Sequence, residues 1–315
     1  MNLTDRIAVC SRSFSRNPIL RSELLDRYKH VTFNDSGLQM EGAELIAFLR
    51  GHNKAITALE KITEEVLSQL PELDVISKYG VGLDMIDMTA MCRLGKKLGW
   101  SGGVNRRSVS ELVISFSIAL LRHVPSANRE LLNGKWRQHV GGLLSGRTVG
   151  IIGCGHIGKD LVGLLKPFKC PILVNDIYDY QDFYTKHEIE AVSLDELLCR
   201  SDIVTLHVPL DKSTKGMLSS HKLRKLKSTS ILINVARGGL VDEIELKMML
   251  LNGELAGAAF DVFAMEPPED AELLMLPNFL GTPHIGGSSE EAILAMGRVA
   301  IDGLSLNELV GEVRG

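Results

Sequence analysis

Three residues of different chemical type, Arg237, Glu266 and His284, each stand just beyond a short apolar run of the chain, at 231–235, 258–262 and 279–282. A histidine can take up and return a proton near neutral pH. A carboxylate behind it can hold the second ring nitrogen and so fix the ring's orientation. An arginine offers a planar fork of donors suited to a carboxylate, which a lysine does not reproduce. Taken singly, the histidine reads as a surface residue after Thr-Pro and the arginine as half of an ion pair. If the three runs are parallel strands of one sheet, all three side chains fall at the same carboxyl edge, where open α/β sheets bind ligands.

A second group is Gly153-Cys154-Gly155-His156-Ile157-Gly158, between the apolar run 148–152 and a helical pattern at 159–165. Asp176 ends the next run, 18 residues after Gly158. Strand, glycine turn, helix and distal acid together predict a dinucleotide site. Gly153 permits the turn, Gly155 lets a pyrophosphate approach the backbone, and Gly158 lets helix and strand pack. The amides around His156 and Ile157 would face the phosphates at the helix start. Asp176 would accept from the ribose hydroxyls and repel a 2′-phosphate. Ile177, Tyr178 and Asp179 supply no cation for that phosphate. NAD is therefore expected rather than NADP.

These residues need elements to hold them. Short apolar runs alternate with helical patterns along the whole chain, which predicts βαβ units and parallel sheets. In the first hundred residues the runs are 7–10, 31–33, 56–58 and 75–77, with helical segments such as 41–49 and 64–70 between them. A glycine-rich break at 99–105 follows. Ser108 and Glu111 have capping-box spacing and predict a helix over 108–124, closed by Pro125, then a polar irregular arm to 147. Beyond it, runs at 148–152, 172–175, 203–207, 231–235, 258–262 and 279–282 predict a second sheet buried on both faces. Ser193 with Glu196, Asp242 with Glu245, and Ser288 with Glu291 mark further helix starts.

Composition excludes several classes. The 315 residues are 45% hydrophobic and 23% charged, with net charge -4, which suits about two globular domains and gives no basic footprint for nucleic acid. The group Lys222, Arg224, Lys225 and Lys227 reads as a solvated helix face. Five cysteines show no metal-ligand spacing, so no metal and no disulfide framework is expected, and a reducing cytoplasm is. No run reaches the length of a membrane span, and the N-terminal apolar run is too short for a signal peptide.

The stretches GVGLDMID (80–87), GRTVGIIGCGHIGK (146–159), LHVPL (206–210), INVARGGLVDE (233–243), FDVFAMEPP (260–268) and TPHIGG (282–287) resemble the D-isomer-specific 2-hydroxyacid dehydrogenases, in that family's order and across almost the whole chain. The resemblance implies a Rossmann cofactor domain, 101–286, and a smaller flavodoxin-like α/β substrate domain, discontinuous over 1–100 and 287–315. It implies Arg237, Glu266 and His284 as the catalytic set. The reaction would be hydride transfer between nicotinamide and a small 2-hydroxy or 2-oxo acid. Arg237 would hold the acid and His284 would take the hydroxyl proton. It further implies cofactor contacts from His207, Val208, Pro209, Thr214, Val235, Ala236 and Asp261, the last toward the nicotinamide carboxamide. Tyr79, Gly80, Val81 and Gly82 would hold the substrate carboxylate through backbone N–H groups.

The segment 108–147 resembles the family's dimerisation element. Trp136 and Leu143 are candidates either for that contact or for an internal core. Ala264, Met265 and Ser110 depart from the family's usual residues without touching the catalytic three. The chain's length leaves no room for the appended domain of long phosphoglycerate dehydrogenases, so serine feedback is not expected. Arg12 and Ser13 follow the first run and Lys78 precedes the substrate loop, which favours an anionic acid such as D-3-phosphoglycerate. Glyoxylate, hydroxypyruvate, lactate-like acids and phosphite stay open, as does a non-enzymatic NAD(H)-sensing corepressor.

Overall fold

A computed structural model describes residues 2–312. The ends of the expected substrate domain, residue 1 and residues 313–315, lie outside the described residues. The chain divides into two compact units, Met1–Asn105 with Ser289–Gly315, and Arg106–Ser288.

The first unit holds β1 (Asn2–Val9), β2 (Tyr28–Phe33), β3 (Lys54–Thr57), β4 (Val75–Lys78) and β5 (Lys97–Gly99). They run parallel in the order β5-β4-β3-β1-β2, with the short antiparallel strand Glu308–Leu309 beside β5. That order is the flavodoxin-like one. Alternate residues of β1 enter separate cores: Ile7 and Val9 pack with Phe14, Leu20 and Leu24, whereas Ala8 packs with Leu45, Leu49 and Val66. Both faces are thus covered, which is why the runs lack polar alternation. The helix Glu290–Gly303 belongs to this unit. Gly303 lies against Gly99, where an added Cβ on Gly99 would come within 2.3 Å of the Gly303 carbonyl oxygen.

The second unit holds β6 (Val149–Ile152), β7 (Ile172–Asn175), β8 (Glu190–Ala191), β9 (Ile203–Leu206), β10 (Ile231–Asn234), β11 (Gly257–Phe260) and β12 (Phe279–Gly281). All pairs are parallel, in the order β12-β11-β10-β9-β6-β7-β8. This is a Rossmann sheet, and its direction of winding reverses between β6 and β9, the position at which such sheets bind ligands.

Several boundaries differ from those expected. The helix expected from Ser108 begins two residues earlier, as Arg106–Leu121. Ser108 is therefore inside it, and its hydroxyl donates to Gly286 O at 2.7 Å instead of capping. Pro125 does not close that helix. The chain turns at His123 in the left-handed conformation, and Pro125 sits in the first turn of a new helix, Val124–Leu132, where its missing N–H costs nothing. The arm is therefore partly helical. The last helix is capped by Ser289 through Ala292 N at 3.1 Å rather than by Ser288. Ser193 and Asp242 do cap their helices, accepting from Glu196 N and Glu245 N.

Candidate functional site

The glycine turn is built by close backbone approach. Gly153 directly follows β6 at φ 95°, and a side chain there would meet the His207 carbonyl oxygen at 2.7 Å. A Cβ on Gly158 would come within 2.3 Å of Gly153 O, so the helix His156–Leu165 packs directly on the strand end. Its first backbone bond runs from Lys159 N to Gly155 O. Among the described residues, the amides of Gly155, His156, Ile157 and Gly158 have no partner, and the space beyond Gly155 is open. Four free donors at the positive end of a helix suit a pyrophosphate.

Asp176, one residue past β7, accepts from Cys154 N at 2.5 Å and from Tyr178 N at 2.8 Å. It therefore ties the glycine turn to the neighbouring strand, a second task that its position in the sequence does not reveal. A carboxylate has about four acceptor positions, so two remain for ribose hydroxyls. The nearby Lys159 ammonium is held over the Tyr180 ring at 3.4 Å. These residues fit NAD.

His207 follows β9. Its amide donates to Ile152 O, its Nε2 meets Thr205 Oγ1 at 3.0 Å, and its Nδ1 is shut from solvent with no partner among the described residues. Burial pushes its pKa down to about 3. The folded state thus disfavours the imidazolium, and the unfolded chain takes up the proton first as pH falls below the usual value. Stability contributed by neutral His207 is present above pH 6.5 and is lost as pH falls toward 3. About 2 kcal/mol should disappear between pH 7 and pH 5. Thermal melts of His207→Gln should show a correspondingly smaller drop over that interval. An equal drop in both proteins removes His207 as the cause. Val208 follows, and the loop from Pro209 closes on itself, with Thr214 Oγ1 donating to Pro209 O at 2.7 Å.

Val235 and Ala236 are buried beyond β10. Asn234, a polar residue at the end of an apolar strand, clamps the turn that follows: its Oδ1 accepts from Ala236 N and its Nδ2 donates to Arg237 O. Arg237 Nη1 donates to Ala236 O at 2.7 Å. The next residue joins this turn to the one that carries Glu266. A Cβ on Gly238 would lie 1.8 Å from Phe263 O, so only glycine permits the two backbones to touch.

Glu266 and His284 meet directly. His284 Nδ1 lies 2.9 Å from Glu266 Oε2, and Glu266 Oε1 accepts from Phe263 N at 3.1 Å. An ionised carboxylate only accepts, so the proton belongs on Nδ1 and the Nε2 lone pair is left for a reactant. His284 has φ 54°, a left-handed conformation that costs a non-glycine residue about 1–3 kcal/mol.

Asp261 maintains that conformation. Its backbone oxygen accepts from His284 N, its Oδ1 from Thr282 Oγ1 and Ile285 N, and its Oδ2 from Gly286 N at 2.7 Å. Asp261 is 1% exposed, so its carboxylate serves the histidine loop, whereas the sequence reading gave it only a carboxamide contact. Glu243 was also missed: it accepts from Ala264 N at 2.8 Å, and burial raises its pKa.

In the first unit, the loop after β4 begins with buried Tyr79, edge-on to Phe14. Trp100 Nε1 donates to Val81 O at 3.0 Å and pins the loop. The amides of Gly80, Val81 and Gly82 have no partner among the described residues. Lys78 is 5% exposed and donates to Ala58 O in the adjoining loop.

A family model for the NAD-binding domain of D-isomer-specific 2-hydroxyacid dehydrogenases matches residues 114–286. The chain belongs to this family. Its second unit carries the 2-hydroxyacid dehydrogenase NAD-binding domain, and the cofactor of that family is NAD. A D-3-phosphoglycerate dehydrogenase of Methanocaldococcus jannaschii is 38% identical over 77% of this chain and 47% of its own length. A hydroxypyruvate reductase of Thermotoga maritima is 36% identical over 75% of this chain and 78% of its own. The chain spans about half the length of the curated phosphoglycerate dehydrogenases it matches. A solved family protein from Polaromonas sp. JS6 66 superposes with a TM-score of 0.86 at 28% identity, covering 95% of both chains.

Proposed function

We propose that this chain interconverts a D-2-hydroxy acid and its 2-oxo acid with NAD, and that the acid is D-3-phosphoglycerate. The observation that carries this is the Glu266–His284 pair, whose Nδ1 contact leaves Nε2 as the acid–base atom. NAD supplies the hydride acceptor. Arg237 holds the acid's carboxylate and steadies charge on the reacting oxygen; His284 Nε2 accepts the hydroxyl proton during oxidation and returns it during reduction. Glu266 keeps the ring in the required tautomer. The amides at 155–158 and the Asp176 carboxylate hold the dinucleotide.

The phosphoglycerate reading is supported by the names of several relatives, and the reductase of Thermotoga maritima favours hydroxypyruvate as a second substrate. The test is NADH consumption with phosphohydroxypyruvate, hydroxypyruvate, glyoxylate and pyruvate. The highest kcat/KM is expected for phosphohydroxypyruvate. NADH binding without turnover of any acid would instead describe a sensor.

We also propose a cytoplasmic homodimer formed through 108–147. Five free cysteines suit a reducing compartment. The arm exposes Leu132, Trp136, Val140 and Leu143, with Trp136 85% and Val140 95% accessible, which argues against an internal-core role for Trp136. Apolar surface of this kind marks an interface. Trp136→Ser should weaken self-association by about 30-fold, the cost of losing an aromatic anchor. Sedimentation velocity over a concentration series reads this, and an unaltered dimer would exclude Trp136 from the contact.

A further inference from the structure

The first unit contains a cavity of about 430 Å3 at the carboxyl edge of its sheet, walled by the segments that follow β1 and β3. Arg12, Ser13 and Arg16 come from the first segment, and Ala58 and Glu60 from the second. Among the described residues neither Arg12 nor Arg16 has a carboxylate partner, whereas the next arginine along the chain, Arg21, is paired with Asp35 at 2.5 Å. Arg16 is accommodated by Gly37: a Cβ there would stand 2.3 Å from its Nη2. Glu60 is 4% exposed and anchored by Ala58 N on its Oε2 at 2.6 Å. Two guanidiniums against one fixed carboxylate leave the lining positive.

An exposed, solvated arginine means little by itself. Here two arginines line one concave wall, and their planar donor groups suit a carboxylate or phosphate. The wall also adjoins the loop with free amides, because Ser13 lies beside the Tyr79 phenol.

We propose that Arg12 and Arg16 form a specificity subsite for an anionic tail, phosphate or carboxylate, carried by the substrate at the end remote from its reacting carboxylate. This rests on the dehydrogenase reading for its place in turnover, but the anion site itself can be tested without it. Glu60 limits the charge the pocket accepts and holds the Ala58 loop in place.

The experiment compares kcat/KM for phosphohydroxypyruvate and oxaloacetate, which carry anionic tails, with that for glyoxylate, which has none. In Arg12→Gln/Arg16→Gln the tailed-to-tailless ratio should fall by at least about tenfold, the scale of one lost charge-assisted hydrogen bond. The phosphate and carboxylate arms show which tail is preferred. Arg12→Lys/Arg16→Lys should recover part of the ratio and shows that the fold survives. An unchanged ratio for both tails overturns the subsite. If wild type turns over none of the acids, the dehydrogenase reading fails separately. Calorimetric titration with inorganic phosphate and with succinate then decides. Binding by wild type that is lost in the glutamine pair supports the subsite, and equal heats or no binding overturn it.

Discussion

His284→Ala is expected to lower kcat by about 10²–10⁴-fold, the range that a positioned general acid–base supplies. The expectation follows from the fixed contact to Glu266, which leaves Nε2 as the atom able to exchange a proton with the reacting hydroxyl. NADH affinity should change little, because the amides and carboxylate that suit the dinucleotide lie on the β6 and β7 segments. One complication is structural. His284 occupies the left-handed region, and alanine tolerates it less well than histidine does. His284→Asn is the better control, since asparagine accepts that conformation but titrates nowhere near neutrality. Both variants should lose turnover equally. Single-turnover measurement with saturating NADH separates the chemical step from release. Turnover within tenfold of wild type in the asparagine variant would remove His284 from the proton path.

Parts of this site were legible because one residue type determines one local event. The positions of Gly153 and Gly158 in the turn match contacts in which any Cβ collides with backbone. The runs at 172–175 and 203–207 became β7 and β9, because β-branched residues buried on both faces have few other uses. The capping pairs were less dependable. Ser193 and Asp242 cap, but Ser108 has the same spacing and lies within a helix, because Arg106 already continues the helical turn and Gly286 O offers the hydroxyl a tertiary partner. A capping box is a local pattern, and a bond across 178 residues overrode it. The same limit hid the tasks of Asp261 and Asn234. Both lie at ends of apolar strands, so a buried polar residue was visible there. For Asp261 the loop it fastens depends on the strand order, a tertiary property, whereas Asn234 clamps the turn that directly follows it.

Asp176 illustrates how the structure alters an experiment. Removing its charge is expected to shift selectivity from NAD toward NADP, since a carboxylate facing the ribose repels a 2′-phosphate. At about 4 Å and an effective dielectric near 20, each unit charge pair is worth about 4 kcal/mol before screening. A shift of about a hundredfold in the ratio of kcat/KM for NADP to that for NAD is therefore a conservative expectation. Alanine would be a poor choice. Asp176 also accepts from Cys154 N, and losing that acceptor would loosen the glycine turn and weaken both dinucleotides together. Asp176→Asn keeps a carbonyl oxygen for Cys154 while removing the charge. The asparagine variant should gain NADP activity and lose only part of its NAD activity, whereas the alanine variant should lose affinity for both. If the wild-type protein already prefers NADP, or if asparagine leaves the ratio unchanged, Asp176 does not face the ribose. Its carboxylate would then serve only to tie the turn to β7.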